Sequence, residues 1–564
     1  MSDTAARNLQ RALALIDGMA AAGVQRAVVS PGSRSTPLAL ACELHPSIET
    51  RVLIDERCAA FHALGLARAT DTPAILIATS GSAPTHWHPA VVEADQAMVP
   101  LLLLTADRPP RLQGCGANQT IDQTRLFGSA TRAFLAPGLD DGDGDYLRAL
   151  GVRAVHQSRW PLPGPVQLNL PFEEPLVPQR LPAPPQTPRP VAVEIPGLQA
   201  PDPQLERVAA ILGRGPGLIV CGPGHFGADF AGTVSTLAGA LECPLLADPL
   251  SGLRFGDHER RRVLARYDSF LRDPVFCRSH RPEWVLRFGA VPVSKPLQVW
   301  LEDLPAGRLL LTDPHGRWPD PGHGVGEMLR ATPALLCRQL LARAPGAGPA
   351  GWLQDFLQAE AAAEQRMRNA VREDGWFEAQ LVDDLLEQLP AGSQLFVGNS
   401  MPVRELDAFS GTRPKALRLF ANRGTSGIDG HVSTLLGLAR AAAPDTRTVG
   451  LIGDLAFCHD LNGLLAAPGC DATLVVINNG GGGIFRYLPQ SGLETFERYW
   501  LTPTGLDFSH AARLYGVPFR RVEDAASFRA AFADSLRQPG VKLIEARIDP
   551  QRSLELHRAC HPSL

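Results

Sequence analysis

The sequence predicts an α/β protein built from three doubly wound domains, each with a parallel sheet. Its 564 residues are too many for a single hydrophobic core and suggest about three domains. Short apolar runs alternate with amphipathic segments along most of the chain, a pattern typical of parallel sheets covered by helices on both faces. Two stretches rich in proline or glycine interrupt this pattern and indicate linkers between domains.

The first block of the chain shows the alternation most clearly. Apolar residues recur at helical spacing from Leu9 to Met19, and another helix is predicted from Glu56 to Ala69. The predicted strands of this block are "RAVVS", "RVLI", "AILIATS" and "VPLLLLTA". Later strands are predicted at "GLIVC", "RLLLT", "SQLFV", "TVGLI", "ATLVVI" and "VKLIEARI".

The linkers set the predicted domain boundaries. Prolines crowd residues 171–190, where neither a helix nor a central strand can form, and "ARAPGAGPAGW" (342–352) is a second candidate. The sequence therefore predicts three domains, at residues 1–180, 181–350 and 351–564.

Composition excludes several classes of protein. Net charge is −4, so neither nucleic acid nor an anionic membrane is expected as a partner. The ten cysteines are scattered and none forms C-x-x-C, as expected for reduced thiols in a cytosol. The N-terminus lacks the pattern of a signal peptide, and no apolar run is long enough to span a bilayer. We expect a cytoplasmic protein that acts on small molecules.

A candidate metal site follows two apolar strands of the last block. Asp454 comes directly after "VGLIG", and Asn478 and Asn479 come directly after "TLVVI". Ligands of open parallel sheets bind beyond the carboxyl ends of the strands, and Mg²⁺ prefers oxygen ligands from one or two side chains together with phosphate. The glycines at 480–483 allow the backbone to approach an ion or a phosphate closely. Either motif alone would also fit an ordinary turn.

This pair of motifs resembles the signature of thiamin-diphosphate-dependent enzymes. The resemblance implies that Asp454, Asn479 and the carbonyl of Gly481 hold Mg²⁺, or alternatively Mn²⁺, which in turn holds the cofactor's diphosphate. It also implies a pyrimidine-binding first domain, a Rossmann-like middle domain and a diphosphate-binding third domain. The family often reads Gly-Asp-Gly, whereas the third residue here is Leu455.

The same resemblance implies a catalytic acid in the first domain. In this family a carboxylic acid hydrogen-bonds the aminopyrimidine ring of the cofactor and is normally buried, which favours its protonated form. Glu56 lies at a predicted strand-to-helix junction of the expected kind. An acid in the first turn of a helix is otherwise common, because it suits the helix dipole.

Four segments resemble one branch of the family, the menaquinone-pathway synthases that join 2-oxoglutarate to isochorismate. They are "VVSPGSRSTPLALA", "GNSMPVRELD", "ANRGTSGIDG" and "NNGGGGIFRYLP". The resemblance implies that 2-oxoglutarate loses CO₂ and that the resulting carbanion adds to isochorismate in a Stetter-like 1,4-addition. The two substrates together carry four carboxylates, and arginine binds carboxylates through two parallel hydrogen bonds.

The family positions imply a set of ligand-binding residues. Those implied to contact substrate are Ser33, Arg34, Arg108, Asn118, Gln119, Lys295, Ser400, Arg404 and Arg423. Those implied to contact the cofactor, besides Glu56 and the metal ligands, are Asn399, Ser400, Ile428, Ile484 and Phe485. The branch commonly reads Lys-Arg where this chain has Lys295-Pro296, so one expected cation is missing.

Several alternatives stay open. Another thiamin-diphosphate enzyme, a 2-oxo-acid decarboxylase or an acetolactate-synthase-like carboligase, would share the cofactor motif. The turn "GPGHFG" (222–227) matches a dinucleotide fingerprint and would suit an NAD or FAD oxidoreductase, although Glu242, the candidate ribose-binding acid, precedes a strand instead of ending one. "HWH" (86–88) is a weak metal motif without a third ligand nearby. The resemblance further implies a homodimer or a dimer of dimers with active sites at the subunit interface.

Overall fold

Three six-stranded parallel sheets, flanked by helices, form the fold of this chain, which confirms the predicted fold class. A computed structural model describes residues 4–138, 144–187, 189–372 and 376–561. Among these residues, no helix has the length and hydrophobicity needed to cross a lipid bilayer.

The first sheet has the strand order β2–β1–β3–β4–β6–β5. Its strands are β1 (Arg26–Val29), β2 (Glu49–Val52), β3 (Ala74–Ala78), β4 (Leu101–Asp107), β5 (Ala133–Leu135) and β6 (Pro165–Pro171). Its helices are α1 (Thr4–Ala21), α2 (Thr36–Leu44), α3 (Glu56–Thr70), α4 (His88–Gln96) and α5 (Gly144–Arg159). Every residue of β3, β4 and β6 is buried, because helices cover both faces of the sheet.

The second sheet has the order β12–β11–β10–β7–β8–β9. Its strands are β7 (Gly217–Cys221), β8 (Leu245–Ala247), β9 (Val263–Leu264), β10 (Trp284–Phe288), β11 (Leu309–Thr312) and β12 (Val325–Leu329). The helices of this part are α6 (Asp202–Leu212), α7 (Phe230–Ala240), α8 (Tyr267–Phe270), α9 (Pro274–Ser279), α10 (Lys295–Glu302), α11 (Pro333–Leu341) and α12 (Trp352–Arg372).

The third sheet repeats the order of the first, as β14–β13–β15–β16–β18–β17. Its strands are β13 (Ser393–Val397), β14 (Leu417–Phe420), β15 (Thr448–Gly453), β16 (Ala472–Asn478), β17 (Phe519–Val522) and β18 (Val541–Arg547). The helices are α13 (Glu378–Gln388), α14 (Met401–Phe409), α15 (His431–Ala441), α16 (Asp454–His459), α17 (Phe508–Leu514), α18 (Ala525–Arg537) and α19 (Pro550–Cys560).

The chain divides into two compact units. The first unit comprises residues Met1–Ile195, Asn422–Pro444 and Ala456–Ala472, and the second comprises Pro196–Ala421, Asp445–Leu455 and Thr473–Leu564. In the first unit α15 packs closely along α3, where a Cβ atom added to Gly65 would lie 2.1 Å from the carbonyl oxygen of Thr434. The domain boundaries near residues 180 and 350 stay predictions.

One predicted strand of the first sheet was placed two residues too late. The sequence predicted a strand at "RVLI" (51–54), but β2 ends at Val52, whose partner Val29 is the last residue of β1. Val52 and Ile54 are 58% and 67% exposed, because β2 is an edge strand. The apolar run thus contains two exposed side chains, Val52 and Ile54, and the buried side chain of Leu53 between them.

The glycine turn at 222–227 does not open a helix. The next helix, α7, begins only at Phe230, whereas a dinucleotide fingerprint places a helix N-terminus directly at the phosphate. A Cβ atom on Gly222 would lie 1.9 Å from the carbonyl oxygen of Ala290, so this glycine permits close backbone packing. Glu242 has a left-handed φ of 48° and lies before β8.

Among the described residues, no group of three potential metal ligands includes a histidine of the "HWH" motif. Trp87 is buried, and its ring stacks on Phe127 with centroids 6.3 Å apart. His86 and His88 are exposed on either side of it. The motif therefore anchors the start of α4 in the first unit.

Candidate active site

Two neighbouring strands of the third sheet bring the Asp454 and Asn479 motifs together in the second unit. Gly453 of β15 pairs with Ile477 of β16, so both loops leave the same edge of the sheet. The Asp454 carboxylate accepts hydrogen bonds from the backbone N–H of Leu455 at 2.8 Å and of Gly481 at 2.7 Å. Position 455 contributes its backbone, which explains why leucine can replace the glycine that is common in the family.

The electrostatics around Asp454 suit a bound cation. Its side chain is only 6% exposed, and this burial raises the pKa of Asp454 to about 6. No lysine, arginine or histidine forms an ion pair with it within the described ranges 4–138, 144–187, 189–372 and 376–561. A buried carboxylate without a cationic partner is costly unless a cation neutralises it. The residues present therefore fit a divalent ion.

The two asparagines after β16 have different surroundings. The Asn478 side chain donates to Glu545 at 2.6 Å and accepts from the N–H of Gly480 at 3.2 Å, so it fixes the loop. Asn479 instead lies over Gly483, where an added Cβ atom would be 2.7 Å from its amide nitrogen. The Asn479 side chain takes no part in the two hydrogen bonds by which Asn478 fixes the loop.

Gly481 requires the conformation and the space that glycine provides. Its φ is +119°, and an added Cβ atom would lie 2.1 Å from the carbonyl oxygen of Leu501. Its own carbonyl oxygen accepts from the N–H of Gly483 at 2.8 Å, which leaves one lone pair for a further ligand.

A cavity of about 820 Å³ opens beside these loops in the second unit. Asp454, Asn479 and Gly480 line it together with Arg486 and Arg547. The cavity has both a buried carboxylate for a cation and arginines for an anion, which is the combination that a metal-bound diphosphate requires.

The loop after β13 is strained and leads directly into α14. Ser400 has a left-handed φ of 69°, which is unusual for a residue other than glycine. The exposed Arg404, one turn into α14, donates from Nη1 to the carbonyl oxygen of Ser400 at 2.5 Å. Asn399 is buried. Ile484 and Phe485 are half-buried on a 3₁₀ turn, Gly483–Tyr487, in the same unit.

Two of the predicted substrate arginines meet in the first unit. Arg34, which is 4% exposed, donates to the carbonyl oxygen of Phe172 at 2.8 Å and to Glu174 at 2.6 Å. Arg108 lies 3.7 Å from the same oxygen of Glu174. The Nε atoms of both arginines are buried, and no hydrogen-bond acceptor for either lies within the described part of the chain. Two unused donors thus remain beside one carboxylate.

The other predicted residues of this sheet edge are exposed. Asn118 and Gln119 lie in the loop after β4, and Ser33 follows β1. Gln119 is held against the end of β3, because its side chain donates to the carbonyl oxygen of Ser80 at 3.1 Å while its own carbonyl oxygen accepts from Ser80 Oγ at 2.9 Å. The ends of β1, β3 and β4 therefore bring these side chains to one edge.

Glu56 begins α3 and is half-buried. The preceding residue, Asp55, caps the helix by accepting from the backbone N–H of Arg57 at 3.0 Å and of Cys58 at 3.4 Å. The Glu56 carboxylate is therefore not needed as the cap. The full burial expected of such an acid is not achieved by the chain's own residues.

The loop that carries Arg423 and Ile428 is anchored by a residue that the sequence did not reveal. Glu93 of α4 is buried and accepts from the backbone N–H of Gly424 at 2.9 Å and of Thr425 at 2.7 Å. It also pairs with Arg68 of α3 at 2.9 Å. Only a glutamate on the buried face of an otherwise apolar helix could have signalled this role.

Lys295 is the first residue of α10 in the second unit, and it is exposed. Ser294 caps this helix by accepting from the N–H of Leu297 at 3.3 Å. Pro296 occupies the first turn, where the missing N–H of proline has no cost. The absent family arginine is thus replaced by a residue that suits a helix start.

Three family descriptions match successive parts of the chain. Residues 10–126 match "Thiamine pyrophosphate enzyme, N-terminal TPP binding domain". Residues 204–397 match "Middle domain of thiamine pyrophosphate", and residues 409–546 match "Thiamine pyrophosphate enzyme, C-terminal TPP binding domain".

Curated proteins are similar over nearly the whole length. A 2-succinyl-5-enolpyruvyl-6-hydroxy-3-cyclohexene-1-carboxylate synthase of Dechloromonas aromatica (strain RCB) is 42% identical over 97% of this chain and 100% of its own. The synthase of the same name from Geobacillus kaustophilus (strain HTA426) is 44% identical over 97% of this chain and 96% of its own. This chain belongs to the thiamine pyrophosphate enzyme family, whose cofactor is thiamin diphosphate.

Proposed function

We propose that the chain is a 2-succinyl-5-enolpyruvyl-6-hydroxy-3-cyclohexene-1-carboxylate synthase. It would decarboxylate 2-oxoglutarate and add the resulting four-carbon unit to isochorismate, with release of CO₂. The observation that carries the proposal is identity above 40% to synthases of this name, over nearly the full length of both chains. The convergence of Arg34 and Arg108 on one carboxylate oxygen of Glu174 adds a site suited to a carboxylate substrate.

The metal and diphosphate end of the site uses the second unit. Asp454, Asn479 and the carbonyl oxygen of Gly481 would hold Mg²⁺ or Mn²⁺, which would bind the diphosphate. Asn399 and Ser400 would contact the cofactor from the loop after β13. Ile484 and Phe485 of this unit would pack against its rings, and Ile428, which belongs to the first unit, is a further proposed ring contact.

Glu56 would act on the aminopyrimidine ring. Its carboxyl group would donate a hydrogen bond to a ring nitrogen and so control the proton on the exocyclic amine. When bound, thiamin diphosphate supplies the carbanion chemistry of decarboxylation and addition. The protein's own contribution is to hold that proton, to orient two substrates and to neutralise their carboxylates.

The substrate carboxylates would be bound mainly by arginines. Arg34 and Arg108 would bind one carboxylate in the first unit, where a ligand would compete with Glu174. The remaining proposed substrate contacts are Ser33, Asn118, Gln119, Lys295, Ser400, Arg404 and Arg423.

A second copy of the chain would complete the site. The family resemblance implies a homodimer or a dimer of dimers, with Glu56 supplied by one subunit and the metal ligands by the other. Val52 and Ile54, which are exposed just before Glu56, would suit such an interface. The enzyme would work in the cytoplasm.

A reconstituted reaction tests the proposed function. The purified chain is mixed with thiamin diphosphate, Mg²⁺, 2-oxoglutarate and isochorismate, and the loss of isochorismate is followed by absorbance. We expect loss only when both the cofactor and 2-oxoglutarate are present. Isochorismate that persists in the complete mixture would reject the synthase. A parallel arm with pyruvate tests the acetolactate-synthase-like alternative.

A further inference from the structure

A buried polar cluster in the second unit has no role in the function described above. It consists of Glu378 on α13, Glu405 on α14, and Ser553 and His557 on α19. Each of these side chains is buried. Glu378, Glu405 and His557 each offer one atom that could bind a metal, and these three atoms lie within 4.8 Å of one another. Such a concentration of ionisable groups needs a specific explanation.

Both ring nitrogens of His557 have a hydrogen-bond acceptor beside them. His557 Nε2 lies 2.8 Å from the Glu405 carboxylate, and its Nδ1 lies 2.8 Å from the carbonyl oxygen of Ser553. A ring that donates from both nitrogens satisfies both acceptors, so the imidazolium form fits this geometry. The hydroxyl of Ser553 donates to Glu378 at 2.6 Å.

The charges agree with that assignment. Burial alone would lower the pKa of His557, but the adjacent carboxylate of Glu405 raises it to about 9. Burial raises the pKa of Glu405 to about 7, against the lowering effect of His557. A buried pair of this kind contributes little net stability compared with apolar residues, whereas it fixes the geometry of the elements that carry it.

The cluster joins the two active-site segments of the second unit. Glu405 follows Arg404 on α14, one turn after the strained Ser400. On the other side, the ring of His557 packs against Tyr487 with centroids 5.7 Å apart. Tyr487 ends the 3₁₀ turn that carries Ile484 and Phe485.

We propose that His557 is a positioning residue of the active site, which acts through Glu405 on Ser400 and Arg404 and through Tyr487 on the turn at 483–487. This inference deepens the proposed function and rests on it for the role of Arg404. The C-terminal helix α19 thereby holds both segments in register through His557, which does not itself line the cavity beside Asp454.

A bound metal is the competing explanation of the cluster. Glu378, Glu405 and His557 offer suitable ligand atoms, and one oxygen of Glu405 has no hydrogen-bond partner within the described residues. However, a metal on Nε2 would require neutral histidine in place of the proton that now bridges His557 and Glu405. The two explanations therefore make different predictions. In one, a metal ion occupies the cluster, and in the other only a proton lies between His557 and Glu405.

Hydrogen exchange measured by mass spectrometry tests the positioning role without requiring activity. The variants are H557L and the milder H557Q, whose amide can still donate to Glu405. The control is H510Q, because His510 is an exposed histidine on α17 of the same unit. We expect faster exchange at 398–409 and 483–487 in H557L, partial restoration in H557Q and wild-type exchange in H510Q. Unchanged exchange in both H557 variants would overturn the inference.

Kinetics test the consequence for substrate binding. We expect the KM for 2-oxoglutarate to rise about tenfold in H557L, as for the loss of one charge-assisted hydrogen bond, with a smaller change in kcat. H557Q should lie between H557L and the wild type. A lower melting temperature with unchanged KM would show that His557 is only structural. A wild-type enzyme without turnover would reject the proposed function. The hydrogen-exchange experiment would still test the positioning role of His557.

The pH dependence of KM gives a further readout. In the wild type, KM should rise as the pH increases through about 9, where His557 loses its proton, and this rise should be absent in H557Q. The titratable or charged groups around His557 are Glu378, Arg404, Glu405, Tyr487, Arg558 and His561. Metal analysis completes the test: a stoichiometric ion that is present in the wild type and lost in H557Q would overturn the proton-bridged pair.

Discussion

The two acids expected at the cofactor, Asp454 and Glu56, have opposite surroundings. Asp454 in the second unit is buried, and two backbone N–H groups fix its carboxylate. Glu56 in the first unit is half-buried at a helix start, after the exposed apolar residues Val52 and Ile54. The proposed metal end is thus preorganised by residues of one unit, whereas the proposed catalytic-acid end is left open.

This difference agrees with the roles proposed for the two acids. A metal ligand can be fixed by its own loops, because a bound cation offsets the free-energy penalty of burying the carboxylate. An acid that must be protonated needs an apolar cover to raise its pKa. The residues around Glu56 provide only part of that cover, and a second copy of the chain would supply the rest.

The largest effect is expected at the open end. Glu56→Gln should lower kcat by about 100-fold or more, the usual contribution of a positioned acid–base group, while cofactor affinity stays within a few-fold. Steady-state kinetics and calorimetric titration with thiamin diphosphate measure the two quantities. Glu43→Gln, at an exposed acid on α2, is the control. Near-normal turnover of Glu56→Gln would remove Glu56 from the mechanism.

A large effect on binding is expected at the preorganised end. Asp454→Asn should weaken Mg²⁺-dependent binding of thiamin diphosphate by about tenfold or more, because a neutral amide replaces the charged ligand. Titrations with and without Mg²⁺ separate the metal-dependent part. Asp445→Asn, on an exposed loop, should bind as the wild type does. Equal affinity in Asp454→Asn would argue against the metal site.

A moderate effect is expected from charging the apolar surface before Glu56. Ile54→Asp should weaken self-association by about tenfold or more and reduce activity in proportion, because an unpaired charge would have to be desolvated in the interface. Sedimentation at several protein concentrations measures the association. Val177→Asp places the same charge at an equally exposed residue of the proline-rich segment. Unchanged association of Ile54→Asp would exclude this surface from the interface.

The smallest effect is expected at the arginine pair of the first unit. Glu174 is 65% exposed and occupies the space between Arg34 and Arg108 that a substrate carboxylate would need. Glu174→Gln should therefore lower the KM of the substrate whose carboxylate binds Arg34 and Arg108 by a few-fold. This change corresponds to the free energy of about one exposed ion pair. Glu173→Gln, which removes the partner of Arg111 instead, is the control. A higher KM would show that Glu174 holds the arginines in their binding geometry.

Features encoded by consecutive residues could be predicted from the sequence. The helix start at Glu56 and the pairing of the Asp454 and Asn479 loops follow from local patterns and from the rule for parallel sheets. The all-parallel three-sheet fold follows from the strand and helix alternation.

Features that depend on distant residues could not be predicted. Glu93 fixes the loop of Arg423 from more than 300 residues away, and Glu174 reaches Arg34 across the first sheet. The end of β2 was misplaced because an exposed apolar residue has the same sequence signal as a buried one. The cluster around His557 combines α13, α14 and α19, so no short motif encodes it.

Subunit complementation tests the central claim that two copies of the chain share one active site. Glu56→Gln and Asp454→Asn subunits are mixed, allowed to exchange and assayed at a thiamin diphosphate concentration that saturates the wild type but not Asp454→Asn, so that each variant alone has little activity. Random exchange should restore about one quarter of wild-type activity, because half of the dimers would be mixed and each would contain one intact site. A mixture as inactive as its components, with subunit exchange verified by native mass spectrometry, would contradict the claim.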